Sequence, residues 1–191
     1  MEMNKEMERW KNRAGLTFLK KVGIKLGDSV LDFGCRYGTY TIPAAKIVGE
    51  NGIVYALDKS EERLGELMKS AEAEDLQNIK KIHTNGELKI PLRDETVDAV
   101  LLYDVVHLVG KNDSSTVNDR MILYKEVYRI AKNNALISVY PTHLATHTDI
   151  TSNEEIRREL KEEGFKFERG EYVRLIHDEN FVSGSVLNFR K

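Results

Sequence analysis

The sequence has a single cysteine, almost no net charge and no long apolar run, and each shortage excludes a class of protein. Cys35 is the only cysteine, so no disulfide can form within the chain, and a reducing, cytoplasmic location is expected. With 29 Lys and Arg against 31 Asp and Glu, the chain lacks the basic footprint typical of nucleic-acid binding. Its longest apolar stretch, residues 99–109, is interrupted by Asp104 and falls short of the ~20 residues that span a bilayer. The charged residues 1–11 do not resemble a signal peptide, so no membrane association is expected.

Short apolar runs alternate with helical patterns along the 191 residues. The apolar runs predict five strands, at residues 30–33, 53–58, 79–83, 96–103 and 135–140. The helical patterns predict five helices, at residues 4–22, 41–48, 61–73, 117–131 and 153–163, and Asn133-Asn134 is predicted to separate the fourth helix from the fifth strand. Two last strand patterns, 165–176 and 181–189, flank a turn and indicate an antiparallel hairpin. The alternation predicts one α/β domain over residues 1–191, with a parallel sheet and helices on both faces.

The first predicted strand leads into a glycine turn that opens a helix. Gly34 and Gly38 lie in this turn, and such a turn brings backbone N–H groups up to a ligand. Asp58 ends the second predicted strand, twenty residues after Gly38. An acidic residue at this place can accept hydrogen bonds from the two hydroxyls of a ribose. The pairing of turn and acid therefore predicts a nucleoside-type cofactor.

Three segments, at residues 30–35, 55–58 and 90–100, resemble class I S-adenosylmethionine-dependent methyltransferases, of the group that includes the ubiquinone and menaquinone methylases. The resemblance implies a Rossmann-like, seven-stranded and mostly parallel sheet with an antiparallel C-terminal strand. It also implies S-adenosylmethionine as cofactor, with Asp32 holding its amino-acid end and Asp58 its ribose. Gly34 and Gly38 would let the loop backbone approach the cofactor.

The chain departs from the family pattern at two places. Arg36 stands where the family usually has glycine; it would either obstruct the cofactor or pair with its carboxylate, and we assign it to the cofactor site. Gly86 stands where the family often has an Asp that receives the adenine amino group. Asn85 and Glu87 each offer an acceptor oxygen and are assigned as its substitutes.

Catalytic candidates follow the fourth predicted strand, where ligands of open α/β sheets bind. Tyr103 and Asp104 end this strand, and His107 follows it. A histidine titrates in the range that suits proton transfer near neutral pH, although a packed structural role is equally open. Asp104 interrupts an apolar run, which favours a role in a pocket.

A metal site and an N-terminal lid are two further hypotheses. His143, His147 and Asp149 have a metal-like spacing, but the segment does not predict a firm helix. No third ligand is evident apart from Asp149 or the distant His107, so no metal is expected. Residues 1–23 form the N-terminal helical segment, in which Met3, Met7 and Trp10 interrupt a charged stretch. This segment either closes over the cofactor or docks as ordinary core.

The predicted function is methyl transfer to a small-molecule acceptor by in-line displacement. Two alternatives stay open: a cofactor-binding or vestigial domain that serves as a regulatory or partner subunit, and a methylase that acts on protein or RNA. The sequence leaves the oligomeric state undecided.

Overall fold

The computed structural model describes residues 5–109, 116–142 and 153–191. The helices are α1 (Lys5–Arg9), α2 (Gly15–Val22), α3 (Thr41–Val48), α4 (Glu61–Ala73), α5 (Val117–Ile130) and α6 (Asn153–Glu162), and a π-helical turn, Trp10–Ala14, joins α1 to α2. The strands are β1 (Ser29–Phe33), β2 (Ile53–Asp58), β3 (Ile79–His83), β4 (Val97–Tyr103), β5 (Ala131–Tyr140), β6 (Lys166–His177) and β7 (Asn180–Arg190). Within these ranges, none of the helices has the length and apolar character of a membrane span.

The strands form a seven-stranded sheet in the order β3-β2-β1-β4-β5-β7-β6. β1 pairs in parallel with β2, β2 with β3, and β4 with β5, whereas β7 runs antiparallel to β5. This is the predicted fold class, a mostly parallel sheet with an antiparallel C-terminal strand, and it is confirmed.

The chain groups into two compact units. The first extends to Thr84 and includes Val173–Gly184, and the second comprises Asn85–Tyr172 and Ser185–Lys191. The core of the first unit is apolar and lies between β1, β2 and their helices; its fully buried side chains include Leu19, Leu31, Ile42, Leu64 and Leu67. The core of the second unit includes Leu101, Leu123, Tyr124, Phe165 and Phe189. The single domain over residues 1–191 stays a prediction.

Local sequence signals place several elements within a residue of their predicted bounds. α3 and β3 have the predicted bounds, and Ser60 caps α4 by accepting a hydrogen bond from the backbone N–H of Arg63 at 3.3 Å. Thr116 caps α5 in a capping box with Asp119. Two left-handed residues, Asp178 (φ 44°) and Glu179 (φ 64°), form the turn between β6 and β7, as expected for a tight hairpin.

The predicted break at Asn133-Asn134 is wrong. β5 begins at Ala131, directly after α5, and both asparagines lie inside it. The pairing register with β4 shifts between Val97 and Ala99, and Asn134 adopts a left-handed conformation with φ 64°. Because asparagine tolerates this conformation better than most residues, it allows an irregularity within the strand rather than a turn before it.

Candidate cofactor site

The glycine turn of the first unit connects β1 to α3 and is tied to β2. The backbone N–H groups of Gly34 and Cys35 both donate to the Leu57 carbonyl, at 2.8 and 3.0 Å. Gly34 (φ 74°), Arg36 (φ 50°) and Gly38 (φ 82°) are all left-handed. The turn therefore has a strongly constrained backbone that directs the chain from one strand into the next helix.

Gly38 is required by packing as well as by its backbone angle. A Cβ atom placed on it would lie 2.2 Å from Cδ1 of Leu67 in α4. The turn thus packs directly on α4 at this position, a contact that the sequence pattern did not reveal.

Asp32 is a buried carboxylate at the end of β1. Its side chain is 3% exposed, and its Oδ2 accepts a hydrogen bond from the Thr41 hydroxyl at 2.6 Å. Burial raises the pKa of Asp32 to about 7; the Thr41 hydrogen bond opposes this shift and the negative charge of Asp58 adds to it. Among the described residues, no lysine, arginine or histidine forms an ion pair with Asp32.

Asp58 is held in place by two backbone amides. Its Oδ2 accepts from the Arg36 N–H at 2.8 Å, and its Oδ1 accepts from the Ser60 N–H at 2.9 Å. Each carboxylate oxygen has two acceptor positions, so each keeps one for a ligand. Because Ser60 itself caps α4, the cap does not need the Asp58 carboxylate.

The Arg36 side chain is directed to the hairpin turn. Its Nη1 lies 3.0 Å from Oδ1 of Asp178, and both side chains are about half exposed. The sequence offered two interpretations of Arg36: that it obstructs the cofactor or that it pairs with the cofactor carboxylate. Neither of them included this ion pair. The left-handed backbone of a non-glycine residue costs about 1–2 kcal/mol, so glycine would adopt this conformation with less strain than arginine.

The N-terminal segment docks on the end of the glycine turn. Trp10 is fully buried, and its Nε1 donates to the Thr39 carbonyl at 2.9 Å. Its ring also meets Tyr40 edge-on at 5.4 Å. Met3 lies outside the described residues, and closure of this segment over a cofactor stays a prediction.

Tyr103, in the second unit, has its hydroxyl within a buried polar chain. The hydroxyl lies 2.7 Å from Oγ of Ser138, which in turn donates to Oδ1 of Asn188 at 2.7 Å. These three side chains join β4, β5 and β7, an arrangement that favours a structural role for Tyr103.

Asp104 and His107 lie together after β4. Asp104 has a left-handed backbone with φ 53°, and its N–H donates to the Tyr140 carbonyl at 3.1 Å, across the ends of β4 and β5. The nearly buried His107 has its Nδ1 3.8 Å from Oδ1 of Asp104. The second unit thus presents an imidazole beside a carboxylate at the end of a central strand.

The remaining predicted site residues are less well placed. Asn85 and Glu87 are exposed, in a bend of the second unit around Gly86. His143, His147 and Asp149 lie outside the described residues. Within the described part of the chain, no group of three His, Cys, Asp or Glu side chains forms a metal cluster.

Sequence reasoning missed the residue that organises the segment before β4. The Arg129 guanidinium donates to the carbonyls of Ile90 and Leu92, both at 2.8 Å, and to the carboxylates of Asp94 and Glu126. Its only sequence signal was an arginine in the last turn of a predicted helix. The family-like segment at 90–94 therefore keeps its shape through a side chain more than thirty residues away.

The mostly parallel sheet places this chain among Rossmann-like α/β proteins, and comparison identifies the family. A family profile described as a methyltransferase domain matches residues 31–139, more than half of the chain. The chain belongs to this family. The predicted resemblance to class I S-adenosylmethionine-dependent methyltransferases is confirmed, and with it the cofactor that this class uses.

The similar proteins agree with this family. A demethylmenaquinone methyltransferase of Geobacillus sp. (strain WCH70) is 33% identical over 114 residues, which cover 60% of this chain and 45% of that protein. The chain spans about half the length of the curated relatives it matches. Among solved structures, a SAM-dependent methyltransferase from Aquifex aeolicus has a TM-score of 0.75 at 24% identity, covering 96% of this chain and 92% of its own. Magnesium protoporphyrin IX methyltransferase from Synechocystis PCC 6803, solved with bound SAM, has a TM-score of 0.67 at 18% identity, covering 100% of this chain and 86% of its own.

The residues of the first unit fit S-adenosylmethionine. The cofactor carries a positive sulfonium and an ammonium group, and Asp32 is a buried acid without a cationic partner among the described residues. Its ribose offers two hydroxyl donors, and Asp58 keeps one acceptor position on each oxygen.

Proposed function

We propose that this protein transfers a methyl group from S-adenosylmethionine to a small organic acceptor. The observation that carries the proposal is the Asp32 carboxylate, which is buried and meets no cation within the described residues. Burying such a charge is costly unless a partner compensates it. A cationic cofactor would supply that compensation.

The proposed work of the chain is mainly to hold and orient. Asp32 would bind the ammonium group at the amino-acid end of the cofactor, and Asp58 would accept hydrogen bonds from both ribose hydroxyls. A methyl group on a sulfonium is already activated for displacement. Alignment of acceptor and donor can supply about 7–11 kcal/mol of barrier reduction, so the mechanism needs no covalent step on the protein.

A proton acceptor is needed only when the methyl acceptor must lose a proton. We assign that role to His107, with Asp104 as a nearby charge: its Oδ1 lies 3.8 Å from Nδ1 of the imidazole, which is beyond hydrogen-bond distance but close enough to favour a protonated ring. Tyr103 is assigned a structural role because its hydroxyl is bonded to Ser138.

A small molecule is the proposed acceptor class. The relative from Geobacillus is named for a quinone-type substrate, and the net charge of −2 does not favour a nucleic acid. A cytoplasmic location, inferred from the single cysteine, belongs to the same proposal.

Release of S-adenosylhomocysteine tests the proposal. The purified protein is incubated with S-adenosylmethionine and a fractionated metabolite pool, and an Asp58→Asn variant serves as the matched control. We expect product with wild type in at least one fraction and much less with the variant. Tight cofactor binding without turnover in any fraction would instead support the partner-subunit alternative.

A further inference from the structure

The residue at the centre of the glycine turn makes two contacts that link distant parts of the first unit. The backbone N–H of Arg36 donates to Oδ2 of Asp58 at 2.8 Å. Its guanidinium donates to Oδ1 of Asp178 at 3.0 Å, across 142 residues of sequence. The same residue therefore touches the acid assigned to the cofactor ribose and the turn between β6 and β7.

The left-handed conformation of Arg36 needs support. At φ 50°, a residue with a Cβ is strained, and the neighbouring contacts must hold it there. The Asp58 carboxylate holds the backbone of this residue on one side, by accepting the hydrogen bond from its N–H. The ion pair with Asp178 restrains the other end of the same residue.

The hairpin turn is itself well anchored, so Asp178 is a fixed partner. The Tyr40 hydroxyl donates to the Ile176 carbonyl at 2.8 Å in a buried contact. On the other side of the turn, the Phe181 N–H donates to the Glu6 carboxylate at 2.9 Å. Asp178 also has His177 beside it, with Nε2 3.2 Å from its Oδ2.

We propose that Asp178 is a positioning residue for the cofactor, acting through Arg36 on the Asp58 carboxylate. The ion pair restrains Arg36, whose backbone N–H donates to Asp58, and it keeps the guanidinium at the hairpin rather than over the turn. The inference rests on the proposed role of Asp58 at the ribose. If Asp178 has this role, the C-terminal hairpin supports cofactor binding without contacting the cofactor itself.

The expected effect is small, because the pair is exposed. Exposed ion pairs contribute little interaction free energy. Removing this pair should therefore lower cofactor affinity by only about two- to fivefold. Asp178→Asn is a suitable change, since asparagine adopts the left-handed turn conformation as readily as aspartate. The fold of the hairpin and the melting temperature should therefore stay unchanged.

A double-mutant cycle tests the inference, with S-adenosylhomocysteine as the calorimetric probe. Asp178→Asn should raise the Kd by about two- to fivefold in the wild-type background. In an Arg36→Gly background, where the partner is gone, the same change should have no effect. At an ionic strength of about 0.5 M, the difference between wild type and Asp178→Asn should shrink.

The control is Glu66→Gln, which removes a similarly exposed charge, that of the pair with Lys69 on α4. It should leave the Kd unchanged. An Asp178→Asn variant that binds like wild type, or one that weakens binding equally with and without Arg36, would overturn the positioning role alone. Absence of binding by wild type would overturn the cofactor assignment, and this inference with it.

Discussion

Asp32 in the first unit and Glu159 in the second are both almost fully buried, at 3% and 2% exposure, but within the described part of the chain only Glu159 meets a cation. Its two carboxylate oxygens accept from Nε and Nη2 of Arg120, at 3.0 and 2.9 Å. Asp32 accepts from the neutral hydroxyl of Thr41, and no described residue brings it a positive charge.

The difference separates a structural charge from the charge that we propose for cofactor binding. The Glu159–Arg120 pair joins α6 to α5 and compensates itself within the fold. Nearby, burial raises the pKa of the Tyr124 hydroxyl well above its usual range, and the Glu159 charge adds to the shift. Asp32 instead has a pKa raised to about 7, as expected for a buried acid whose charge no described residue compensates.

The largest expected effect is on the structural charge. Glu159→Ala leaves the Arg120 guanidinium buried without its carboxylate, and the free energy of unfolding should fall by about 3–5 kcal/mol. Urea titration measures this. Glu162→Ala, which removes an exposed carboxylate from the same helix, should change stability by less than about 0.5 kcal/mol. A Glu159→Ala variant as stable as this control would end the distinction between the two acids.

Asp32→Asn is expected to act on binding rather than on stability. Loss of the charge should weaken binding of S-adenosylmethionine by about 10- to 100-fold, as for one hydrogen bond to a charged group. Because the folded chain raises the pKa of Asp32 from 3.8 to about 7, its ionisation lowers the free energy of unfolding progressively between these two values, and the full cost is present above about pH 7. The variant should therefore be at least as stable as wild type at about pH 8, and the difference should vanish near pH 4.

Calorimetry and urea titration on the same preparation check both halves of this expectation. If Asp32→Asn unfolded as readily as Glu159→Ala, Asp32 would be a second structural charge. Unchanged affinity would remove it from the cofactor site.

Sequence pattern was sufficient to place the two acids of the first unit. Strand ends and glycine turns are local signals, so Asp32 and Asp58 were assigned to strand ends that the structure confirms. The N-cap at Ser60 was equally local. Such features depend on neighbouring residues along the chain, which the sequence displays directly.

The side-chain contacts of the candidate site depend on packing and left no local signal in the sequence. Thr41 stands nine residues after Asp32, and no spacing rule pairs a helix-start threonine with a strand-end acid. Arg36 and Asp178 are 142 residues apart. The π-helical turn at Trp10–Ala14 also went unpredicted, because its periodicity differs little from that of an α-helix over one turn.

The smallest expected effect is the pH dependence of cofactor binding and its shift in Thr41→Val. Protonated Asp32 is neutral and loses its attraction for the ammonium group, so affinity should fall as pH drops through about 7, by about tenfold one unit below that value. The Thr41 hydrogen bond lowers the pKa of Asp32. Its removal should therefore move the midpoint to higher pH and weaken binding a few-fold at about pH 7. Calorimetry across this pH range measures the midpoint, and Asp32→Asn is a control that should show no such transition. If Thr41→Val left the midpoint unchanged, a group other than Asp32 would control the pH dependence of binding. The contrast with Glu159 would then no longer rest on the ionisation of Asp32.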